Sequence, residues 1–265
     1  MIIDDVATQA NSLLIHHPDA ITDLYIKEPN GYSDRPTIGY IKGERLSLLF
    51  ESGASKYHNE EIRKDLERAS LPYPTLVAIS HWHWDHSFGL YDWNVPSIAG
   101  KDTNNMLKKL SKLKWDEESI KERILKREEI VFCHEMMKRE YGDTNTIKVV
   151  PASIEFEKEL SIDLGGINLR LIHISGPHSR DSVVLYIPEE KILFLADSHG
   201  KDLYTYPWHF DINEEEKFME EVDKIPYDLI EKDRYLERLK SLDFSIAIPG
   251  HSGIMERDEL FSLLS

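Results

Sequence analysis

One short segment concentrates side chains that can bind metals. Residues 80–86 read Ser-His-Trp-His-Trp-Asp-His, so three imidazoles and one carboxylate fall within six positions. Zinc and similar transition metals prefer nitrogen and oxygen donors of this kind. The segment leaves a predicted strand, residues 75–79, and alternate side chains diverge at such a position. His81 and His83 are therefore candidates for one ion, and Asp85 and His86 for a second.

Hydrophobic patterning and breaks at Gly and Pro predict the elements around this motif. Strands are predicted at residues 24–27, 37–42, 45–51, 75–79, 146–150, 160–164, 168–174, 182–187, 191–196 and 244–248. Helices are predicted at residues 58–70 and 229–241, and Asn213 with Glu216 indicates a capping box at a further helix start. Residues 101–141 are dense in Lys, Glu and strong helix formers, which predicts a helical insertion over about 101–145. Many strands with helices in blocks predict an α+β fold of two sheets covered by helices.

The composition is typical of a globular protein. Of 265 residues, 41% are hydrophobic and 30% are charged, which excludes wholesale disorder. No repeat or Gly/Ser-rich linker divides the sequence, so we expect a single domain over residues 1–265. No apolar run is long enough to cross a bilayer, and the first residues, MIIDDVATQ, lack an export signal. We therefore expect a cytoplasmic protein with no membrane association, and the one cysteine, Cys133, which cannot form an internal disulfide, agrees with a reducing compartment.

The charge balance bears on the partner. The formal net charge of −16 repels polyanions, so nucleic acid is disfavoured and a small-molecule substrate is expected. The one dense basic cluster is interpreted as the solvated face of a helix: Lys108, Lys109, Lys112 and Lys114. No Ser/His/Asp nucleophile, P-loop or dinucleotide-binding glycine pattern competes with the histidine motif. No oligomeric state is predicted.

The His-x-His-x-Asp-His pattern resembles that of the metallo-β-lactamase superfamily, and three later segments match the family's order of ligands. His178 stands in a Gly-Pro-His-Ser turn after a predicted strand. Asp197 follows the apolar run Phe-Leu-Ala, and His251 follows Ile-Pro-Gly near the C-terminus. The resemblance covers about residues 22–253 and implies a four-layer αββα metallo-β-lactamase-like sandwich.

The resemblance also implies a dinuclear centre. Seven residues are implied as ligands: His81, His83 and His178 for a first ion, Asp85, His86 and His251 for a second, and Asp197 between both. The implied cofactors are two divalent ions, with zinc favoured and iron or manganese as alternatives. The implied chemistry is hydrolysis by a metal-bridging hydroxide, since bound metal lowers the pKa of water from about 16 toward about 7. Asp85 is also expected to orient the nucleophile and to receive its proton.

Several positions depart from the family's pattern without removing a ligand. The family usually shows an apolar strand that ends in Asp-Thr-Gly, and Glu51 takes the place of that aspartate. The side chain that supports the metal ligands from this position is therefore one methylene longer. Pro177, Asp181 and Ala196 also differ from the residues common at their positions. These departures argue against transferring a substrate from a well-known branch of the family.

The loop after Asp197 is expected to line the substrate pocket, because it begins at a metal ligand and mixes aromatic and polar residues over positions 198–210. Tyr204 and Tyr206 are the predicted hydrogen-bond donors to the oxyanion that forms when a carbonyl is attacked. His199 is a further candidate, as the acid that protonates the leaving group. Arg180 is a candidate contact for a substrate oxygen or a partner of nearby acids.

We expect hydrolysis of a small ester, lactone or thioester. Hydroxyacylglutathione hydrolases share the His-Trp-Asp-His run but carry a helical domain after the last histidine, whereas only residues 252–265 follow His251 here. Secreted β-lactamases are disfavoured by the missing export signal and by Asp197, and tRNA 3′-processing endonucleases by the lack of a basic arm. Three alternatives stay open: a phosphodiesterase or nuclease-type hydrolase, an iron-dependent oxidoreductase of the same fold, and a non-catalytic metal-binding protein.

Overall fold

The computed structural model describes residues 2–4, 12–16, 23–27, 30–204, 220–222 and 224–265, and two β-sheets dominate them. The first sheet has eight strands whose order in space is their order in the chain. They are β1 (Ile2–Asp4), β2 (Ser12–His16), β3 (Asp23–Lys27), β4 (Ile38–Lys42), β5 (Ser47–Phe50), β6 (Leu76–Ala78), β7 (Ser97–Gly100) and β8 (Ile154–Phe156). Pairing is antiparallel from β1 to β5 and parallel from β5 to β8.

The second sheet has six strands, again in chain order. They are β9 (Glu159–Asp163), β10 (Asn168–His173), β11 (Val183–Ile187), β12 (Ile192–Ala196), β13 (Ile246–Pro249) and β14 (Met255–Glu256). All pairs are antiparallel except β12 with β13, which run parallel. The carboxyl ends of β12 and β13 therefore meet at one edge, and a candidate ligand follows each of them.

Helices cover both sheets. They are α1 (Lys56–Arg68), α2 (Trp84–Ser87), α3 (Lys101–Leu110), α4 (Glu117–Leu125), α5 (Val131–Tyr141), α6 (Leu229–Lys240) and α7 (Arg257–Leu264). Short 3-10 turns occupy Gly31–Ser33, Leu90–Asp92 and Thr144–Thr146. Within the described ranges, no helix combines the length and the apolar composition needed to cross a bilayer.

Strand alternation sorts apolar side chains into layers. On β5, Leu48 and Phe50 belong to the core between the two sheets, whereas Leu49 faces the core under the helices of the first sheet. On β12, Phe194 points into the core between the sheets and Leu193 into the core under α6 and α7. Both strands are buried on both faces, which explains why they read as continuous apolar runs. The layer order is helix, sheet, sheet, helix, and the predicted α+β sandwich is confirmed.

Aromatic rings from the two sheets meet in the core between them. The rings of Phe50 and Phe194 pack edge to face with their centroids 5.8 Å apart. A β-carbon added to Gly39 on β4 would lie 2.5 Å from the ring of Phe194. Glycine at position 39 therefore makes room for this ring between the sheets.

The prediction of a strand at residues 146–150 was wrong. The chain there makes the Thr144–Thr146 turn and then runs without pairing. Ile147 and Val149 are buried against the helical core, so their alternation serves packing and not a β-ladder. The strand that pairs in this region is β8, a few residues later. Sequence patterning also missed β7 and α7.

The lysine- and glutamate-rich stretch forms three helices, α3, α4 and α5, as the composition predicted. The predicted helices at residues 58–70 and 229–241 correspond to α1 and α6. Ser55 caps α1, since its side chain accepts hydrogen bonds from the backbone amides of Tyr57 and His58. The capping box predicted at Asn213 and Glu216 lies outside the described residues.

Candidate metal centre

The ends of several strands deliver the candidate ligands to one place. The 80–86 motif follows β6, and the short helix α2 carries Asp85 and His86. Asp197 follows β12 and His251 follows β13, the parallel neighbour of β12. His178 lies in the turn between β10 and β11. Residues far apart in sequence therefore converge where the end of β6 in the first sheet meets the ends of β10, β12 and β13 in the second.

The seven side chains form two groups. The first cluster holds His81, His83 and His178, and the second cluster holds Asp85, His86, Asp197 and His251. In each cluster the nitrogen or oxygen atoms that could serve as ligands lie within 4.8 Å of one another. In the first cluster, Nε2 of His178 is 3.0 Å from Nδ1 of His83. The sequence-based ligand set is thus brought together without exception.

In the second cluster, carboxylate oxygens and imidazole nitrogens are in close contact. The Oδ2 atom of Asp85 lies 2.9 Å from Nε2 of His86 and 3.1 Å from Nε2 of His251. The Oδ2 atom of Asp197 lies 3.3 Å and 3.4 Å from the same two nitrogens, and 3.6 Å from Nε2 of His178. Asp197 therefore stands between the two clusters.

Unpartnered buried atoms show that these residues fit a metal. Nε2 of His81 and Oδ1 of Asp197 are buried without a hydrogen-bond partner. Burial of a polar atom without a partner costs about 1–3 kcal/mol. Two cations among the clusters would satisfy these atoms, and mixed nitrogen and oxygen donors suit zinc, iron or manganese.

The two clusters also differ in the pKa values of their histidines. Burial lowers the pKa of His81 and His83 well below the ordinary value, so both imidazoles are neutral and ready to bind a cation. Burial also opposes protonation of His86 and His251, but the carboxylates of Asp85 and Asp197 outweigh it and raise the pKa of both imidazoles. A metal ion that binds the second cluster therefore displaces protons.

In the first cluster, neutral groups face the outer nitrogens of two imidazoles. Nδ1 of His81 lies 2.8 Å from the Ser80 hydroxyl oxygen. Nδ1 of His178 lies 2.8 Å from the backbone carbonyl oxygen of Lys201, to which it can donate. Such partners fix the orientation of a ligating imidazole.

In the second cluster, carboxyl groups face the outer nitrogens, and burial raises the pKa of one of them, that of Asp34, to about 8. Oε1 of Glu51 lies 3.3 Å from Nδ1 of His86, and Oδ1 of Asp34 lies 3.6 Å from Nδ1 of His251. Glu51 also accepts a hydrogen bond from the Ser80 amide at 3.3 Å, so the longer side chain still braces the motif. Sequence reasoning missed Asp34, which precedes β4 and matches no ligand motif.

Asp181, another departure from the family's pattern, holds three segments together. Its Oδ2 atom accepts hydrogen bonds from the Trp82 amide at 3.1 Å and from the Thr103 hydroxyl at 2.8 Å. The Ser179 hydroxyl donates to its other oxygen. Asp181 thereby links the histidine motif, the start of α3 and the turn that carries His178.

A cavity of about 290 Å³ opens onto the clusters. Asp85, Asp197 and His251 line it together with Asp34. Its apolar wall contains Phe132 and Cys133 of α5, Leu203, Tyr204 and Val222. His199 lines it too, and burial lowers the pKa of this imidazole to about 4, so the side chain is neutral at neutral pH.

Of the two predicted tyrosines, the structure describes Tyr204 and not Tyr206. The ring of Tyr204 packs 5.0 Å from the ring of His83. Its hydroxyl donates to Oε1 of Glu129 at 3.0 Å, and Sγ of Cys133 lies 3.4 Å from the hydroxyl oxygen, to which the thiol can donate. A role as oxyanion donor stays a prediction and would require this hydroxyl to change partners. Tyr206 lies outside the described residues.

The other predicted residues are placed as follows. Arg180 is exposed and does not line the described part of the cavity. His58 and His134 are buried outside both clusters. Nδ1 of His58 accepts a hydrogen bond from the Ala54 amide, and Nε2 of His134 contacts Glu117.

Comparison with known families agrees with this geometry. The family model described as the metallo-beta-lactamase superfamily matches residues 34–251, which is most of the chain. The chain belongs to the metallo-β-lactamase superfamily. Among curated protein sequences, none matches it significantly.

Solved structures of the superfamily share the fold at low sequence identity. A metallo-β-lactamase from Pontibacter korlensis is 16% identical, with a TM-score of 0.58 over 95% of this chain and 96% of that chain. A metallo-β-lactamase family protein from Thermus thermophilus is 15% identical, with a TM-score of 0.59 over 92% of this chain and 78% of that chain. The chemotaxis sensor ODP, solved as a peroxy diiron species, is 13% identical, with a TM-score of 0.60 over 96% of this chain and 92% of that chain. At these identities the likeness establishes the fold alone.

Proposed function

We propose that this protein is a dinuclear metal-dependent hydrolase that acts on a small ester, lactone or thioester. The observation that carries the proposal is the position of Asp197, with its Oδ2 atom 3.6 Å from Nε2 of His178 and 3.3 Å from Nε2 of His86. Two dications held close together repel each other, and a carboxylate shared between them offsets part of that repulsion. The seven proposed ligands are those of the first and second clusters.

Two residues of the chain, Asp85 and His199, have separate proposed roles around such a centre. When bound, two divalent ions lower the pKa of water from about 16 toward about 7 and polarise a carbonyl oxygen. Asp85 lines the cavity as an ionised carboxylate, because His86 and His251 hold its pKa below the ordinary value despite burial. Asp85 is thus suited to orient the attacking water and to accept its proton. Because burial keeps the His199 imidazole neutral in the cavity wall, its N–H is suited to donate a hydrogen bond to the leaving group, and transfer of a proton would require the ring to be protonated first.

The cavity favours a small substrate. Its volume of about 290 Å³ lies near the lower end for small-molecule sites, which span roughly 300–1,000 Å³. Phe132, Leu203 and Val222 supply apolar surface opposite the ligands. An ester, lactone or thioester presents its carbonyl to the clusters and its carbon chain to this wall.

A hydrolysis screen tests the proposal. Protein loaded with zinc, manganese or ferrous iron is assayed with lactones, esters, thioesters and phosphodiesters. We expect turnover of at least one small carbonyl substrate, and loss of that turnover in Asp85→Asn. The exposed Asp243→Asn is the matched control, since its carboxylate pairs with Lys191 at the surface. Turnover of phosphodiesters alone would contradict the proposed substrate class.

A second candidate, an iron-dependent oxidoreductase, is supported by the carboxylate-rich second cluster and by the diiron state of the chemotaxis sensor ODP. Consumption of oxygen by the iron-loaded protein, without hydrolysis in any metal form, would favour this function. An absorption spectrum of the iron-loaded protein under air provides an independent readout.

A further inference from the structure

The histidines of the two clusters differ in what faces their outer nitrogen. In the first cluster the partners of His81 and His178 are a hydroxyl and a backbone carbonyl. In the second cluster carboxyl groups face the outer nitrogens of His86 and His251, from Glu51 at 3.3 Å and from Asp34 at 3.6 Å. The second cluster also contains two carboxylates of its own.

This difference has a consequence for metal affinity. A carboxylate at the outer nitrogen of an imidazole makes the inner nitrogen a stronger donor and fixes the ring, and loss of such a partner typically costs about 10- to 100-fold in metal affinity. The two carboxylates of the second cluster itself, Asp85 and Asp197, also attract a dication through a low-dielectric interior more strongly than neutral groups do. Both effects favour the second cluster over the first.

Asp34 lies on a turn that backbone hydrogen bonds fix beside His251. The turn is closed by paired backbone hydrogen bonds between Asn30 and Arg35, at 2.8 and 2.9 Å. Asp34 itself has φ 54°, in the left-handed region that Asp and Asn tolerate better than most residues. The Thr37 amide donates to the Gly250 carbonyl at 2.6 Å, so the turn is bonded to the residue that precedes His251.

Arg35 anchors the same turn to two helices. Its guanidinium donates to both carboxylate oxygens of Glu140 on α5, at 2.8 and 3.1 Å. It also pairs with Glu61 on α1 at 2.9 Å. The Arg139 side chain of α5 donates to the Tyr32 carbonyl at 3.1 Å. The pair with the buried Glu140 holds the turn that carries Asp34 beside His251, whereas the pair with the half-exposed Glu61 adds little.

We propose that Asp34 is a positioning residue for His251 and that, with Glu51, it makes the second cluster bind a divalent ion more tightly than the first. The inference rests on the dinuclear centre of the proposed function. It concerns residues 30–37 of this chain, which supply no ligand themselves. Asp34 acts on the imidazole through Nδ1, opposite the nitrogen that faces Asp85 and Asp197.

The test is a stepwise titration of the metal-free protein with Zn²⁺ in competition with a chromophoric chelator. His83→Ala and His251→Ala assign the two binding steps, because each removes a proposed ligand from one cluster only. In wild-type protein we expect the step lost in His251→Ala to be the tighter one. In Asp34→Asn we expect this step to weaken by about 10- to 100-fold, while the step lost in His83→Ala is unchanged.

The choice of variants isolates the carboxylate. Asn keeps the size, an acceptor oxygen and the tolerance of positive φ, and replaces the ionisable carboxyl group by a neutral amide. Asp34→Gly removes the whole side chain and adopts the same backbone, so it serves as a second, independent variant. Glu61→Gln is the matched control, since it neutralises an acid on Arg35 that does not contact His251. The rise in Tm on addition of Zn²⁺ is measured for each, and we expect it to shrink for both Asp34 variants and not for Glu61→Gln.

The outcomes separate this inference from the proposed function. Binding of a single ion by wild-type protein would contradict the dinuclear centre and the inference with it. Two ions with the first cluster tighter, or with both steps weakened equally in Asp34→Asn, would overturn the inference alone. An equal effect of Glu61→Gln would show that the turn acts through general stability and not through His251.

Discussion

The carboxylate of Asp197 occupies the space that a side chain at position 250 would need. A β-carbon built on Gly250 would lie 2.0 Å from Oδ1 of Asp197 and 3.2 Å from the carbonyl carbon of Ala196. Real β-carbons do not approach other atoms so closely, so any larger residue must displace the carboxylate or the turn that carries His251. The glycine before the last histidine is therefore part of the metal centre's geometry.

Gly250→Ala is expected to disturb that geometry. Overpacking of this kind costs about 1–3 kcal/mol of stability, and displacement of Asp197 should lower metal content and turnover together. Elemental analysis and thermal unfolding of the purified variant check this. Gly253→Ala is the matched control, since a β-carbon there meets nothing within 4 Å. Equal behaviour of the two variants would show that the turn adapts without moving the carboxylate.

The metal stoichiometry is a second prediction. Seven side chains converge, which exceeds the four donors of a single tetrahedral ion, so we expect saturation at two transition-metal ions per chain. Elemental analysis after loading and removal of excess metal gives the ratio. A ratio that never exceeds one would contradict the dinuclear model.

The bridging position is tested by Asp197→Ala. The substitution removes the anion between two dications, so we expect loss of turnover and weaker metal retention in a protein that stays folded. Activity, metal content and circular dichroism are measured on one preparation. Asp243→Ala, which removes an exposed carboxylate, should behave as wild type. Wild-type turnover in Asp197→Ala would show that this aspartate is not needed for the chemistry.

Much of the centre could be predicted because strand ends and ligands coincide in the sequence. An apolar run followed by His or Asp marks Asp197 and His251, and the order of the motifs matched the family's order. Asp34 could not be predicted in this way. Its closeness to His251 depends on the Thr37 to Gly250 backbone hydrogen bond, which joins residues more than 200 positions apart.

The hydrophobic pattern predicted a strand wrongly where apolar side chains are buried but the backbone forms no strand pairing. Ile147 and Val149 alternate as in a strand, yet both are buried under the helices and the backbone pairs only later, in β8. Likewise, the contact of Tyr204 with Glu129 links the loop after Asp197 to the chain just before α5. The sequence around either residue does not predict this contact, because the contact depends on how the helices dock onto the first sheet.

The last prediction concerns the donors around the reacting carbonyl. Removal of a hydrogen-bond donor to the oxyanion typically costs about 100- to 1000-fold in turnover. We expect one of Tyr204→Phe and Tyr206→Phe to show such a loss at wild-type metal content, with His199→Gln as the third variant.

For Tyr204 the hydroxyl is shared with Glu129 and Cys133, so Glu129→Gln distinguishes the two roles of this hydroxyl. If Tyr204 serves only to hold the loop against α5, Glu129→Gln and Tyr204→Phe should have similar effects on turnover and on Tm. If it serves the oxyanion, Tyr204→Phe should reduce kcat far more than Glu129→Gln does. Steady-state kinetics with bound metal measured for each variant decide between them, and changes within about threefold for Tyr204, Tyr206 and His199 alike, well below the loss of an oxyanion donor, would show that the loop only covers the pocket.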